Sequence, residues 1–257
     1  MKFLVKPSSL QGCASIPASK SHTIRSVFIA SLSEGESRII NPLTSADGLS
    51  ALSACRELGA EVRVGEDWVI TGKGPDSLSS GKTIDVGNSG TTARFITGMA
   101  ALSQGEVTIT GDEQTRKRPM ESLLAALRSL GAKIHSVNSD GRLPIRIQGP
   151  ISGGHTEVSG VTSQFISSLL INCPLASGDT TIDVPSLNER PYVEMTLKWL
   201  DSQNIQYEND NFKRFFIKGN QKYTPINRRV PADFSSATFF LCAASCTESS
   251  ILLQGLD

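Results

Sequence analysis

The sequence lacks both an excess of charge of one sign and an apolar run long enough to cross a membrane. Its 25 Lys and Arg residues balance its 25 Asp and Glu residues, which gives no electrostatic case for binding nucleic acid or an anionic membrane. No apolar run approaches the roughly 20 residues that a membrane-spanning helix requires. We therefore expect neither a nucleic-acid partner nor a membrane partner.

Metal motifs and secretion signals are also missing. The five cysteines are scattered without a C-x-x-C pair, and the three histidines form no H-E-x-x-H motif. Cys242 and Cys246 could share a helix face, but they lack further ligands nearby, so we interpret them as core residues. The first six residues have no apolar core and no cleavage site. These absences predict a cytoplasmic protein with reduced thiols, no metal and no organic cofactor.

What the sequence does contain is a recurring helix start, in which small, polar and basic residues lead directly into an apolar stretch. It occurs at residues 20–25, 87–94, 162–164 and 233–236. Free backbone N–H groups at such a start can hold an anion, although each start taken alone could be an ordinary cap. The starts recur at intervals of roughly 70 residues, which indicates repeated supersecondary units.

The stretches between these starts predict further elements in the same order. Second helices should follow Ala46, Arg118-Pro119 and Arg190-Pro191, and short alternating strands should lie between and after the helices. Each unit then has the order βαβαββ, with three complete units and the start of a fourth. The helices near 100–102 and 169–171 are apolar on nearly all sides. We therefore expect an α/β fold with buried helices, outer sheets and pseudo-threefold symmetry.

Several motifs together carry a resemblance to a known family. They are Lys20-Ser21 with Arg25, Gly87–Arg94, Arg118-Pro119, Thr162–Phe165, Arg190–Tyr192, and Asp233 with Ser236. In this order they resemble the 3-phosphoshikimate 1-carboxyvinyltransferase (EPSP synthase) family over essentially the whole chain. The resemblance implies two similar domains, each an inside-out α/β barrel of three βαβαββ units, with ligands in the cleft between them.

Against that family the chain is expected to be truncated. Residues 19–230 would form one complete three-repeat domain, and residues 1–18 and 231–257 would form part of the second domain. The family's catalytic base and its later Arg and Lys ligands would then belong to sequence beyond residue 257. We therefore expect the 257-residue chain alone to be inactive.

The resemblance also implies a reaction. Family members transfer the enolpyruvyl group of phosphoenolpyruvate to the 5-hydroxyl of shikimate 3-phosphate and release phosphate, in the shikimate pathway of aromatic amino-acid biosynthesis. They use no cofactor, and the family is the target of the herbicide glyphosate. Both substrates are anions, which suits a site rich in Arg, Lys, hydroxyls and helix starts. The implied partners are these small molecules, and the full-length form is expected to be a monomer.

Site residues follow from the resemblance position by position. Lys20 resembles the catalytic lysine that lies between both substrates. The residues implied to bind shikimate 3-phosphate are Lys20, Ser21, Arg25, Thr162, Ser163, Gln164 and Tyr192. Those implied to bind phosphoenolpyruvate are Lys20, Gly90, Arg118 and Gln164. Asn88 and Arg94 are expected to support the phosphoenolpyruvate region.

Three acidic residues lie in or near these motifs. Glu189 stands where many family members carry a serine that binds the substrate phosphate, and a carboxylate there would repel an anion. Asp47 could support the cleft, but we favour a helix N-cap. Asp233 matches an aspartate at the start of the fourth unit and is expected to cap a helix or lie at a hinge.

Two alternative functions remain open at the level of the sequence. The related family that acts on UDP-N-acetylglucosamine carries Lys-Asn at the position of the first motif and a cysteine shortly before its Arg-Pro. Here the pair is Lys20-Ser21, and residues 112–117 contain no cysteine. The second alternative is a non-catalytic half-enzyme that binds shikimate 3-phosphate without turnover.

Overall fold

The structure is a computed structural model that describes residues 2, 4, 6 and 8–256. Residues 1, 3, 5, 7 and 257, which belong to the predicted second-domain parts, lie outside the described residues. The helices are α1 (Lys20–Leu32), α2 (Ala46–Glu57), α3 (Gly90–Ala100), α4 (Glu113–Arg116), α5 (Glu121–Ser129), α6 (Ser163–Asn172), α7 (Arg190–Ser202) and α8 (Phe234–Cys246). Two 3₁₀ turns cover Pro75–Ser77 and Cys173–Leu175.

The strands are short and most of them follow or precede a helix of the same unit. They are β1 (Gln11–Ser15), β2 (Glu34–Ile40), β3 (Glu61–Val64), β4 (Trp68–Lys73), β5 (Thr83–Asp85), β6 (Val107–Thr110), β7 (Lys133–Ser136), β8 (Ile145–Gln148), β9 (Gly154–Glu157), β10 (Thr180–Asp183), β11 (Tyr207–Asp210), β12 (Arg214–Ile217), β13 (Asn227–Arg229) and β14 (Ser250–Gln254).

Three four-stranded sheets share one topology. Their strand orders are β5-β6-β8-β7, β9-β10-β12-β11 and β13-β2-β4-β3. In each sheet the first two strands are parallel and the other neighbours are antiparallel. The α/β fold of three βαβαββ repeats is thereby confirmed. The leading strand of the first sheet was not predicted, because it comes from β13, after the third repeat.

The first helix of each repeat is buried, as the apolar sequences indicated. Phe28 of α1 packs edge-on against Phe95 of α3, with ring centroids 5.5 Å apart, and α3 packs against α6. At this α3–α6 contact, a Cβ on Gly98 would overlap Asn172 Nδ2 and Ser168 Oγ. The close approach of α3 to α6 therefore requires glycine at position 98.

Side chains cap most of these helices. Ser19, Ser45, Ser89, Thr162 and Asp233 are the N-cap residues of α1, α2, α3, α6 and α8, and each accepts a hydrogen bond from a backbone N–H of the first turn. Asp233 therefore caps a helix, as expected. The N-cap interpretation of Asp47 was wrong, because Ser45 fills that role and Asp47 lies within the first turn.

The position of Arg118 differs from the prediction that it lies directly at a helix start. A helix does follow Arg118-Pro119, but α5 begins at Glu121 with Met120 as its N-cap, and a separate short helix, α4, precedes this turn. Arg118 lies in that turn and is exposed, directly before Pro119. Met120 is the residue outside the helical conformation, with φ of −129°, and its backbone N–H donates a hydrogen bond to the Gly141 carbonyl at 3.1 Å.

Residues outside the three sheets form a smaller unit. β1 pairs in parallel with β14, and a separate small cluster buries Ile16, Ala232 and Ala237. Cys242 and Cys246 of α8 are exposed, so their interpretation as core residues was wrong. Among the described residues, nothing covers this face of α8, which also exposes apolar side chains at Phe234, Phe239, Phe240 and Leu241.

Within the described part of the chain, no helix is both long enough and apolar enough to span a membrane.

Candidate active site

The starts of four helices meet at one cavity of about 130 Å³. Its lining residues are Lys20, Ser21, Arg25, Thr91, Ser163, Gln164, Glu189 and Tyr192. Six of the residues implied by the family resemblance therefore lie together, although they come from α1, α6 and α7. Thr91 was missed by the sequence analysis; its only signal was its place beside Gly90 in the second motif.

Larger hollows lie elsewhere on the surface. One of about 690 Å³ is lined by Glu121, Arg128, His135 and Asp140, among others. The smaller cavity combines two cationic side chains with several hydroxyls at helix starts, which suits a small anion. The described residues contain no group of three or more His, Cys, Asp or Glu side chains that could hold a metal ion.

Arg25 is buried and held by hydrogen bonds on several sides. Its Nε donates to Thr196 Oγ1 at 2.8 Å, its Nη2 donates to Ser167 Oγ at 3.3 Å and to the Tyr192 carbonyl at 2.9 Å, and its Nη1 donates to the Ser21 carbonyl at 3.0 Å. Burial lowers the pKa of Arg25 to about 9, with a smaller opposing effect from Tyr192. The guanidinium therefore remains charged at pH 7.

Lys20, the expected catalytic residue, is the first residue of α1 and about half exposed. Its Nζ lies 3.7 Å from Asp47 Oδ2, and Asp47 Oδ1 accepts a hydrogen bond from Ser89 Oγ at 2.6 Å. Ser89 is also the N-cap of α3. Asp47 thus connects the starts of the first helices of two repeats and does not cap its own helix.

A second cationic group lies at the start of α3. Arg94 Nη1 donates to the Gly90 carbonyl at 2.8 Å, and Arg118 Nη2 lies 3.4 Å from Asn88 Oδ1. A Cβ on Gly90 would overlap the guanidinium of Arg118, so the two groups are in close contact. These four residues are adjacent to one another, but they do not line the cavity that contains Lys20.

The two guanidinium groups of this cluster repel each other. Burial lowers the pKa of Arg94 to about 10, and the nearby charge of Arg118 contributes in the same direction. The buried Arg94 Nε has no hydrogen-bond partner among the described residues. An anion bound beside Arg118 would relieve this repulsion. The arrangement therefore favours binding of a phosphate or a carboxylate at this point.

Thr162 and Ser163 differ in their roles. Thr162 Oγ1 caps α6 by accepting a hydrogen bond from the Gln164 backbone N–H at 3.4 Å, and it does not line the cavity. Ser163 is buried and lines the cavity. Its backbone N–H and its Oγ both face Glu189 Oε2, at 3.4 and 3.0 Å.

The fold and this site define a class of protein: an α/β repeat protein with cationic and hydroxyl side chains gathered at helix starts, suited to small anions. A family model described as EPSP synthase (3-phosphoshikimate 1-carboxyvinyltransferase) matches residues 4–257. The chain belongs to the EPSP synthase family. The family expected from the sequence motifs is thereby confirmed.

Individual relatives agree with this assignment. The chain is 48% identical over 258 residues to a 3-phosphoshikimate 1-carboxyvinyltransferase from Acetivibrio thermocellus, and 44% identical to one from Ruminiclostridium cellulolyticum. Among solved structures it is similar to EPSP synthase from Acinetobacter baumannii, with a TM-score of 0.86 and 28% identity over 97% of this chain.

The matches cover this chain far more completely than they cover the relatives. All of the chain aligns with the two relatives named above, but it spans 61% of the length of each. It covers 57% of the Acinetobacter baumannii chain.

Proposed function

We propose that this chain supplies the binding surface for the acceptor substrate in enolpyruvyl transfer from phosphoenolpyruvate to the 5-hydroxyl of shikimate 3-phosphate. The observation that supports the proposal is the convergence of Lys20, Arg25, Ser163 and Gln164 on one cavity, from helices up to 144 positions apart in sequence (164 − 20). Repeated helix starts supply N–H groups and a favourable dipole for the two anionic substrates.

The proposed ligands of shikimate 3-phosphate are those named from the sequence. Lys20, Ser21, Ser163, Gln164 and Tyr192 line the cavity directly. Thr162 would act through the cap that fixes the start of α6. Arg25 would contribute mainly its charge and the placement of its neighbours, because its hydrogen bonds to Thr196, Ser167, Ser21 and Tyr192 already use most of its donors.

Phosphoenolpyruvate would bind beside this site, at the cluster formed by Gly90 and Arg118. Asn88 and Arg94 are proposed to support that cluster, Asn88 through its contact with Arg118 and Arg94 through its hydrogen bond to the Gly90 carbonyl. Lys20 and Gln164 would contact both substrates.

The chemistry then consists of an addition followed by an elimination. A proton is added to the methylene carbon of phosphoenolpyruvate, and the 5-hydroxyl oxygen attacks the adjacent carbon as it gives up its proton. Loss of phosphate and of a methyl proton restores the double bond. We propose that Lys20 takes part in these proton transfers. Orienting the two substrates is worth about 7–11 kcal/mol of the barrier in well-aligned reactions.

Because the chain spans 61% of the length of its relatives, we propose that residues 1–257 bind shikimate 3-phosphate weakly and do not turn over alone. Residues 19–230 would form the complete domain, with residues 1–18 and 231–257 as part of a second one. A cytoplasmic location and a monomeric full-length form are part of the same proposal. The sequence and the family match give no support to the UDP-N-acetylglucosamine alternative.

Calorimetric titration of the chain with shikimate 3-phosphate, together with an assay of phosphate release, tests the proposal. We expect saturable heat with the wild type, a loss of at least about tenfold in affinity for Lys20→Ala, and no phosphate release. Lys133→Ala, an exposed lysine on β7, is the matched control and should bind like the wild type. Absence of binding by the folded wild type would refute the binding claim, and normal turnover would refute the half-enzyme claim.

A further inference from the structure

Glu189 has an unusual backbone conformation next to the proposed phosphate position. Its φ of 57° and ψ of 42° are left-handed, a region that a residue with a Cβ rarely adopts. It lies immediately before Arg190-Pro191 at the start of α7. The Glu189 carbonyl accepts a hydrogen bond from the Tyr192 backbone N–H at 3.0 Å, which fixes the residue at the helix start.

In this conformation the Glu189 side chain reaches the start of α6. Oε2 accepts hydrogen bonds from Ser163 Oγ at 3.0 Å and from the Ser163 backbone N–H at 3.4 Å. Ser163 is the first residue of α6, so its N–H has no acceptor within the helix. A carboxylate at this end of a helix is also favoured by the helix dipole. Glu189 is therefore bound where an external anion would bind.

The contact matters because it occupies both donors that Ser163 presents at the cavity. Arg25 makes four hydrogen bonds within the protein, and Lys20 lies near Asp47. Ser163 offers a backbone N–H and a hydroxyl at the start of α6, which together suit a phosphate oxygen. A phosphate can use them only if the carboxylate leaves, since two anions cannot share them without repulsion.

We propose that Glu189 is a specificity-determining residue. Its carboxylate competes with phosphate for the two donors of Ser163, and so it weakens the preference for a phosphate monoester over the same polyhydroxy acid without phosphate. Only the identity of the monoester, shikimate 3-phosphate, rests on the proposed function. The competition itself concerns any phosphate at this position. A ligand that also contacts Gln164 and Tyr192 would compensate for the displaced carboxylate.

The test compares the wild-type chain with Glu189→Gln, which keeps the size of the side chain and removes its charge. Glu189→Ser is the second variant, because it removes the competitor and adds a hydroxyl. The matched control is Glu194→Gln, on the same helix, where Glu194 Oε1 accepts a hydrogen bond from Arg190 and does not line the cavity. Inorganic phosphate, shikimate 3-phosphate and shikimate are titrated calorimetrically at constant ionic strength.

We expect both variants at position 189 to bind inorganic phosphate and shikimate 3-phosphate roughly tenfold more tightly than the wild type, as expected when a competing charge-assisted hydrogen bond is removed. Affinity for shikimate should not change, and Glu194→Gln should match the wild type. The backbone amide resonance of Ser163 should shift in Glu189→Gln before any ligand is added. That readout does not depend on ligand binding.

The outcomes separate the two proposals. If inorganic phosphate binds more tightly to the variants but shikimate 3-phosphate binds no protein, the inference stands and the proposed function fails. If the wild type binds shikimate 3-phosphate and neither variant binds it more tightly, the inference is overturned and the proposed function stands. If no phosphate binds any folded variant, the inference is overturned as well.

Discussion

Arg25 Nε lies 2.8 Å from Thr196 Oγ1, although the two residues are 171 positions apart in sequence. The contact joins the first helix of the first repeat to the second helix of the third repeat. The same guanidinium also reaches Ser167 on α6. Arg25 therefore holds together the helices whose starts form the cavity, which makes it a structural residue as well as a proposed source of positive charge.

Replacing Arg25 by alanine should destabilise the fold. The change removes the hydrogen bonds from the guanidinium to Thr196, Ser167 and the Tyr192 carbonyl, which keep the bonds that Thr196 makes to the other two. Each lost bond costs about 1–3 kcal/mol. We expect a decrease of about 3 kcal/mol in the free energy of unfolding, measured by urea denaturation. Arg25→Lys keeps the positive charge but not the planar set of N–H donors, so it should recover only part of the lost free energy of unfolding. An unchanged free energy of unfolding for Arg25→Ala would contradict this role.

Arg118 should affect binding without supporting the fold. It is exposed, and its charge lowers the pKa of buried Arg94, so its removal relieves a repulsion. We expect Arg118→Ala to unfold no more readily than the wild type but to bind phosphoenolpyruvate at least about tenfold more weakly. The control is Arg116→Ala, a neighbouring exposed arginine. Equal affinities for the two variants would show that Arg118 is not a ligand.

The α3–α6 contact should be sensitive to one added methyl group. In Gly98→Ala the new Cβ would overlap Asn172 Nδ2 and Ser168 Oγ between two buried helices. We expect a loss of about 1–3 kcal/mol in the free energy of unfolding by urea denaturation. Gly65→Ala is the matched control, because a Cβ there meets only Asp67 O at 3.5 Å. A larger loss for the control than for Gly98→Ala would refute the close-packing argument.

Asp183 should make stability depend on pH in acid. Hydrogen bonds from Arg214 and His155, together with their charges, lower its pKa from 3.8 to about 2. A depressed folded-state pKa stabilises the fold above the unfolded-state pKa, and this stabilisation is lost as the pH falls towards 2. Thermal melting from pH 5 to pH 2 should therefore show a shallower decline for Asp183→Asn than for the wild type.

The control for that experiment is Asp76→Asn, an exposed aspartate in a 3₁₀ turn. Its melting temperature should follow the wild-type curve over the same pH range. Identical slopes for Asp183→Asn and the wild type would mean that the Arg214 and His155 contacts do not hold in solution.

The sequence predicted the repeats well because each repeat is locally encoded. Polar helix starts, apolar helices and short alternating strands recur at nearly constant spacing, and neighbouring segments form each sheet. β13 was not predicted, because a three-residue exposed strand has no distinctive pattern. It pairs with β2, about 189 positions earlier (Asn227 with Arg38), and this long-range closure is not visible in a local window.

The positions of the motif residues in the fold were predicted better than their contacts. Motifs placed Lys20, Ser163 and Gln164 at helix starts, and the fold brings them to one cavity. The partners of the acidic residues could not be predicted. The contact of Asp47 with Lys20 and that of Glu189 with Ser163 each join different helices, so their roles depend on tertiary packing.

The most direct test of the account is to follow backbone amide resonances of the ¹⁵N-labelled chain during titration with shikimate 3-phosphate. We predict saturable shifts at the starts of α1, α3, α6 and α7, with the largest at Lys20, Thr91, Ser163, Gln164 and Tyr192. Residues of the larger hollow, such as His135 and Asp140, should not shift. Shifts that cluster at that hollow, or the absence of shifts in a folded chain, would contradict the claim that these helix starts form one phosphate-ester site.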